Sequence, residues 1–185
     1  MKMKKTIIVF LAIVVMAGFS TSVKGQVTLT GNTAGATLVQ VLTITNTTPL
    51  NFGVIGITSG TAGTVVMSTA GVRTPGAATT TIINTGTQRT VALFSLTGTA
   101  SATYSITLPS TIAVTTGIGT GNFATTIGTL MVSVDGAAAE GTPYSGTHTL
   151  TAGVSTFLMG GTLAIGAAQE LGVYAGTYSV TVDYN

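Results

Sequence analysis

The chain has no cysteine, no tryptophan and one histidine, with only ten charged side chains (six basic, four acidic) in 185 residues. Zero cysteine excludes a disulfide scaffold, a thiolate zinc site and a cysteine nucleophile together. Scarce charge excludes more. Nucleic-acid binding needs clustered Lys and Arg to neutralise phosphates. Beyond residue 25 the chain offers only Arg73 and Arg89. A charge-rich disordered chain is excluded from the other side, because 45% of residues are hydrophobic and can build a core. Long apolar runs are missing too. The longest, Ile7 to Phe19, has thirteen residues, fewer than the roughly twenty a spanning helix needs.

That run follows the basic segment Met1 to Lys5 and precedes Ser20-Thr21-Ser22 and Val23-Lys24-Gly25. This three-part layout is that of a secretory signal peptide. We expect residues 1–25 to be a signal peptide cut before Gln26, with a cut after Ser22 as the alternative. Residues 26–35 then form an N-terminal extension and residues 36–185 one domain, exported through the periplasm and secreted or held at the cell surface. No membrane span is expected in the mature chain. Four of the six basic residues leave with the signal, so two positive and four negative groups remain, a formal charge of −2. The basic isoelectric point of the precursor therefore says nothing about partners.

What the body does have is threonine, valine, isoleucine and glycine. The β-branched residues stiffen the chain and favour strands, and glycine supplies turns. In Thr177-Tyr178-Ser179-Val180-Thr181-Val182-Asp183-Tyr184 every second residue from Tyr178 is large and apolar, the period of a strand with one buried face. Tyr104, Ile106 and Leu108 repeat the pattern, as do Leu130, Val132 and Val134 against Met131, Ser133 and Asp135. Further strands are expected at 38–45, 50–55, 64–68, 79–83, 90–96, 111–115, 155–159 and 162–165. Turns are expected at Gly71 to Gly76, Asp135-Gly136 and Gly160-Gly161. No window shows a helical stripe. The fold class is all-β: an antiparallel immunoglobulin-like β-sandwich of roughly eight to ten strands. A membrane barrel is the rival architecture, but nine Phe and Tyr after residue 25 are few for two aromatic girdles.

Chemistry-bearing groups are few. Ser145, His148 and Glu140 can be written as a triad, yet no nucleophile elbow occurs and the segment reads as a polar loop. Asp135 and Asp183 fall on outward faces, and no two acids lie within four residues, so neither a carboxylate pair nor a calcium cage is expected. Gly117 to Gly121 lacks the strand–loop–helix setting of a phosphate loop. Asn46-Thr47-Thr48 reads as a polar turn before Pro49. Arg73 and Arg89 read as surface charges or ion-pair partners. No catalytic residue, cofactor or metal is expected.

Four blocks carry a resemblance: Ala36 to Val39 through Leu50 to Gly53, Ala102 to Pro109, Gly160 to Leu163, and Ala175 to Tyr184. They resemble a family of secreted bacterial domains of unknown function, similar to spore-coat-protein-U-like and chaperone–usher fimbrial subunits. The C-terminal block adds a penultimate Tyr184 and a glycine, Gly172, fourteenth from the end. The resemblance implies a sheet edge at Gly172, Tyr178, Val180, Val182 and Tyr184 that a periplasmic chaperone pairs with and a neighbour's extended strand then fills. Val27 and Leu29 are the donor-strand candidates. The function so implied is a structural or accessory subunit of a surface fibre or coat, self-assembling or joining other surface subunits. The alternative is a carbohydrate- or ligand-binding module, with Tyr144 as the contact.

Overall fold

The computed structural model describes residues 28–58, 60–76, 80–82, 89–117, 124–141, 144 and 146–185. The chain divides at residue 37 into two units. In the first, residues 28–37 are exposed and form no strand. The second, residues 38–185, is all-β, with no helix among the described residues.

Thirteen strands are formed by the described residues: β1 (Thr43–Thr48), β2 (Ile55–Ile57), β3 (Gly63–Met67), β4 (Arg73–Pro75), β5 (Thr80–Ile82), β6 (Ala92–Thr97), β7 (Thr103–Thr107), β8 (Ile112–Thr115), β9 (Ala124–Val134), β10 (Glu140–Gly141), β11 (Thr147–Thr149), β12 (Val154–Ile165) and β13 (Thr181–Tyr184). Thirteen exceeds the roughly eight to ten expected: eight have four or more residues and five are pieces of two or three. All pairings are antiparallel. The main sheet runs β1-β6-β12-β3-β4, with β9 on the second edge of β12 and β8 and β10 on β9. A three-stranded sheet, β11-β7-β13, covers it, and β2 and β5 form a separate ribbon.

Alternation builds the core. On β6, Ala92, Phe94 and Leu96 point inward, and on β7 Tyr104 and Ile106 do. Phe94 stacks on its cross-strand partner Phe157 at a centroid distance of 4.6 Å. Leu130, Val132, Met67 and Met159 complete the layer and are essentially fully buried. Each such side chain stabilises the fold by about 1.5–3 kcal/mol relative to exposure. The interior is predominantly apolar, with Ser133, Ser155 and the Tyr104 hydroxyl as buried polar groups that are hydrogen-bonded, where a water-filled membrane barrel would hold many polar side chains.

The structure corrects several expectations. Gly160 and Gly161 do not separate two strands; they lie inside β12, at a register shift against β9. A Cβ on Gly160 would sit 2.1 Å from the Met67 carbonyl oxygen, so the glycine admits a neighbouring backbone rather than a turn. The expected turn at 71–76 contains β4. The first strand begins at Thr43, not Leu38, because Leu38, Val39 and Val41 face water. Ser133, read as outward, is buried, and its hydroxyl donates to the Ala137 carbonyl at 2.6 Å.

Candidate functional site

The C-terminal stretch keeps its alternation from end to end: Tyr178, Val180, Val182 and Tyr184 are half-buried, and Thr177, Ser179, Thr181 and Asp183 are exposed. Its hydrogen bonding does not follow suit. Ala175 exchanges two backbone bonds with Thr115 at the end of β8 (2.9 and 3.0 Å), whereas Thr181 to Tyr184 pair with β7. The segment therefore crosses from the main sheet to the smaller one, and residues 177–180 bridge the gap outside any ladder. Gly176 permits the crossing, since a Cβ there would meet the Ala113 carbonyl oxygen at 2.0 Å.

Under this crossing lies an apolar groove of about 590 Å³. Its floor is Ile112, Val114, Ile127, Leu163 and Ile165; one wall is residues 50–55 with Ile57 and the other residues 169–176 with Tyr178. A second hollow of about 330 Å³ continues it between Ile44, Asn46, Pro49 and Phe94 on one side and residues 176–178 and Val180 on the other. Gly176 and Tyr178 line both. Burial pushes the Tyr178 phenol above its ordinary value.

The walls are pinned by bonds that the sequence pattern does not show. Arg73, on β4, donates through Nη1 to the carbonyls of Phe52 (2.7 Å) and Val54 (3.0 Å), fixing one wall. Burial, and secondarily the charge of Arg89, hold its guanidinium below the usual arginine value. Arg89 donates through Nε to the Gly71 carbonyl at 2.9 Å. On the opposite wall, Gln169 donates to the Tyr174 hydroxyl at 2.6 Å, which in turn donates to the Glu170 carbonyl at 2.7 Å. Leu171 and Val173, beside Gly172, are 82% and 88% exposed. A wall held by an arginine bonded to backbone carbonyls leaves no local motif. The available signal was the rarity of charge itself.

Of the residues singled out from sequence, Gly172, Tyr178 and Val180 come together at the groove. Val182 and Tyr184 lie beyond it, on β13, packed against the core. The Tyr184 hydroxyl accepts from the Thr99 amide (2.7 Å) and donates to the Gln40 carbonyl (2.9 Å). Gln40 in turn donates its amide to Thr99 Oγ1 at 2.8 Å, closing a clasp. Leu29 is 76% exposed in a stretch without strand, and Val27 lies outside the described residues.

Tyr144 is half-buried, its ring parallel to that of His148 at 5.6 Å and its hydroxyl bonded to Nε2. His148 sits on β11 opposite Tyr104, their rings 5.8 Å apart. Ser145 lies outside the described residues; Glu140 opens β10, opposite Val132. Asp135 terminates β9 and caps the start of β12: its carboxylate accepts from Ser155 Oγ and the Thr156 amide, each at 2.7 Å. Ser155 Oγ accepts a hydrogen bond from the Tyr104 hydroxyl at 2.5 Å. A polar chain thus runs from the buried face of the smaller sheet, through the main sheet, to the surface. Its role is structural: every member already has its partner.

A search of curated proteins finds none that matches this chain. Residues 42–184, from the strand after the clasp to the penultimate tyrosine, match a family model described as Domain of unknown function (DUF4402). The chain belongs to that family, and the sandwich, the groove and the crossing strand all fall within the matched region.

Proposed function

We propose that this chain is an exported, non-enzymatic structural or accessory subunit of a bacterial cell-surface fibre or coat, built into its assembly by β-strand addition. One observation carries the reading: a groove floored by Ile112, Val114, Ile127, Leu163 and Ile165 lies open beside residues 177–180, which have apolar alternation without a ladder. Water over aliphatic floor and backbone groups outside a ladder are both unfavourable. An extended segment with alternate apolar side chains relieves both at once, since its main chain pairs with the edge and its side chains enter the hollow. The occupant we assign is the N-terminal extension, residues 26–35, of a neighbouring subunit. Ten residues extended reach roughly 33 Å, more than the 17–20 Å of a common strand.

Tyr144, the contact proposed for a carbohydrate-binding module, turns one ring face to His148 and commits its hydroxyl to it. That arrangement favours the structural reading over the ligand-binding one. The test is assembly of the purified exported protein. Polymers that grow with concentration and resist mild detergent are expected, and are expected to vanish on deletion of residues 26–35 and with Val180→Asp. A deletion variant that polymerises like the parent defeats the donor role.

A further inference from the structure

The main sheet ends on β1, and among the described residues the outer edge of β1 has no ladder partner. Exposed edges invite pairing with another chain, and proteins ordinarily blunt them with charge, proline or bulges. At another end of the same sheet, β4 carries both Arg73 and Pro75 in three residues. β1 has neither. Its sequence is Thr-Ile-Thr-Asn-Thr-Thr, and no charged side chain occurs anywhere from Gln26 to Val72. Just ahead of it Leu38, Val39 and Val41 are 93%, 64% and 76% exposed. These three do not trail freely, because Gln40 between them is held by Thr99 and Tyr184. A fixed, neutral edge is thus flanked by a fixed apolar patch.

We infer that the β1 edge is a self-association surface, where a second copy of this chain pairs its own β1 antiparallel across a twofold axis. In such an isologous contact the same patch meets itself, so a charge near the axis would face its own sign. The complete neutrality of this edge fits that partner. Five paired residues, Thr43 to Thr47 with Thr45 opposite its counterpart, extend the main sheet over about 17 Å, and Leu38, Val39 and Val41 cover the flanks. The inference stands apart from the groove. Thr45, near the middle of β1, is exposed and points to the face opposite Ile44, which lines the smaller hollow.

The experiment is sedimentation velocity on the purified protein, with circular dichroism to confirm that each variant is folded. At concentrations too low for polymers to grow, the parent is expected to form a reversible dimer. Thr45→Lys and Thr45→Glu each place like charges opposite one another and are expected to weaken it on the order of tenfold at low salt. An equimolar mixture of the two variants is expected to dimerise again, and added salt to restore either variant alone. A parent that stays monomeric, or variants that associate like the parent, overturn the inference. Loss of polymers on deleting residues 26–35, with the charge-rescued dimer retained, separates failure of this surface from failure of the groove reading.

Discussion

Among single side chains, Tyr104 has the most confined position. It is fully buried on β7, yet carries a hydroxyl that must find a partner in the opposite sheet. Ser155 provides it and donates its own hydrogen bond to Asp135, so Ser155 accepts inward and donates outward. Removing the two ends of the Tyr104–Ser155 bond therefore has unequal consequences. Tyr104→Phe deletes donor and bond together and is expected to cost about 0.5–1.5 kcal/mol, whereas Ser155→Ala strands a buried phenol and is expected to cost about 1–3 kcal/mol. Urea unfolding of both variants and of the double variant checks this. The double variant is expected to lose less than the two losses added together, because one bond is counted in both. None of this was legible beforehand: Ser155 and Asp135 are twenty positions apart, and nothing in a hydroxyl-rich chain marks which serine turns inward.

Elements show where the pattern is reliable and where it misleads. Alternation located the inward residues of β7, β13 and the end of β9, because an antiparallel strand over a core has no other way to bury its large side chains. Glycine was less informative, since the same residue serves turns and close approach. Gly160 is the example: read as a break, it lies in the twelve-residue β12 with the Met67 carbonyl against it. Gly160→Ala is expected to destabilise the fold by about 1–3 kcal/mol, as overpacking against rigid backbone does, seen as a lowered Tm. Gly98 is a second case. A Cβ there would stand 2.2 Å from the Tyr184 hydroxyl, so Gly98→Ala is expected to open the clasp. Hydrogen exchange at the Gln40 and Thr99 amides reports it, and Tyr184→Phe is expected to speed exchange of the same two amides with the sandwich intact.

For the whole molecule, scarcity of charge leaves tyrosine as a visible titrating group. Burial raises Tyr104 and Tyr178 above the ordinary 10.0 in the folded state. For Tyr104 the nearby Asp135 charge adds to the rise, while the Ser155 bond opposes it. As pH climbs past about 10 the unfolded chain releases these protons while the folded chain keeps them. The folded state then binds more protons than the unfolded, so stability falls with rising pH. The contribution is complete below that pH and lost as pH passes through the raised folded values. Tm is expected to decline above pH 10, and Tyr178→Phe to make the decline shallower.

The amino-acid sequence alone determined the class of the fold and the exclusion of disulfide and thiolate chemistry. Strand period, turn residues and missing residue types are local properties and need no partner to be read. Tertiary structure alone decided that Tyr178 and Val180 sit over an open groove, that Arg73 holds its wall, and that β1 ends the main sheet with no ladder partner among the described residues. Each depends on which distant strand lies alongside. In an antiparallel sandwich that choice rests on backbone hydrogen bonds, which are alike at every residue and so write nothing into the local pattern.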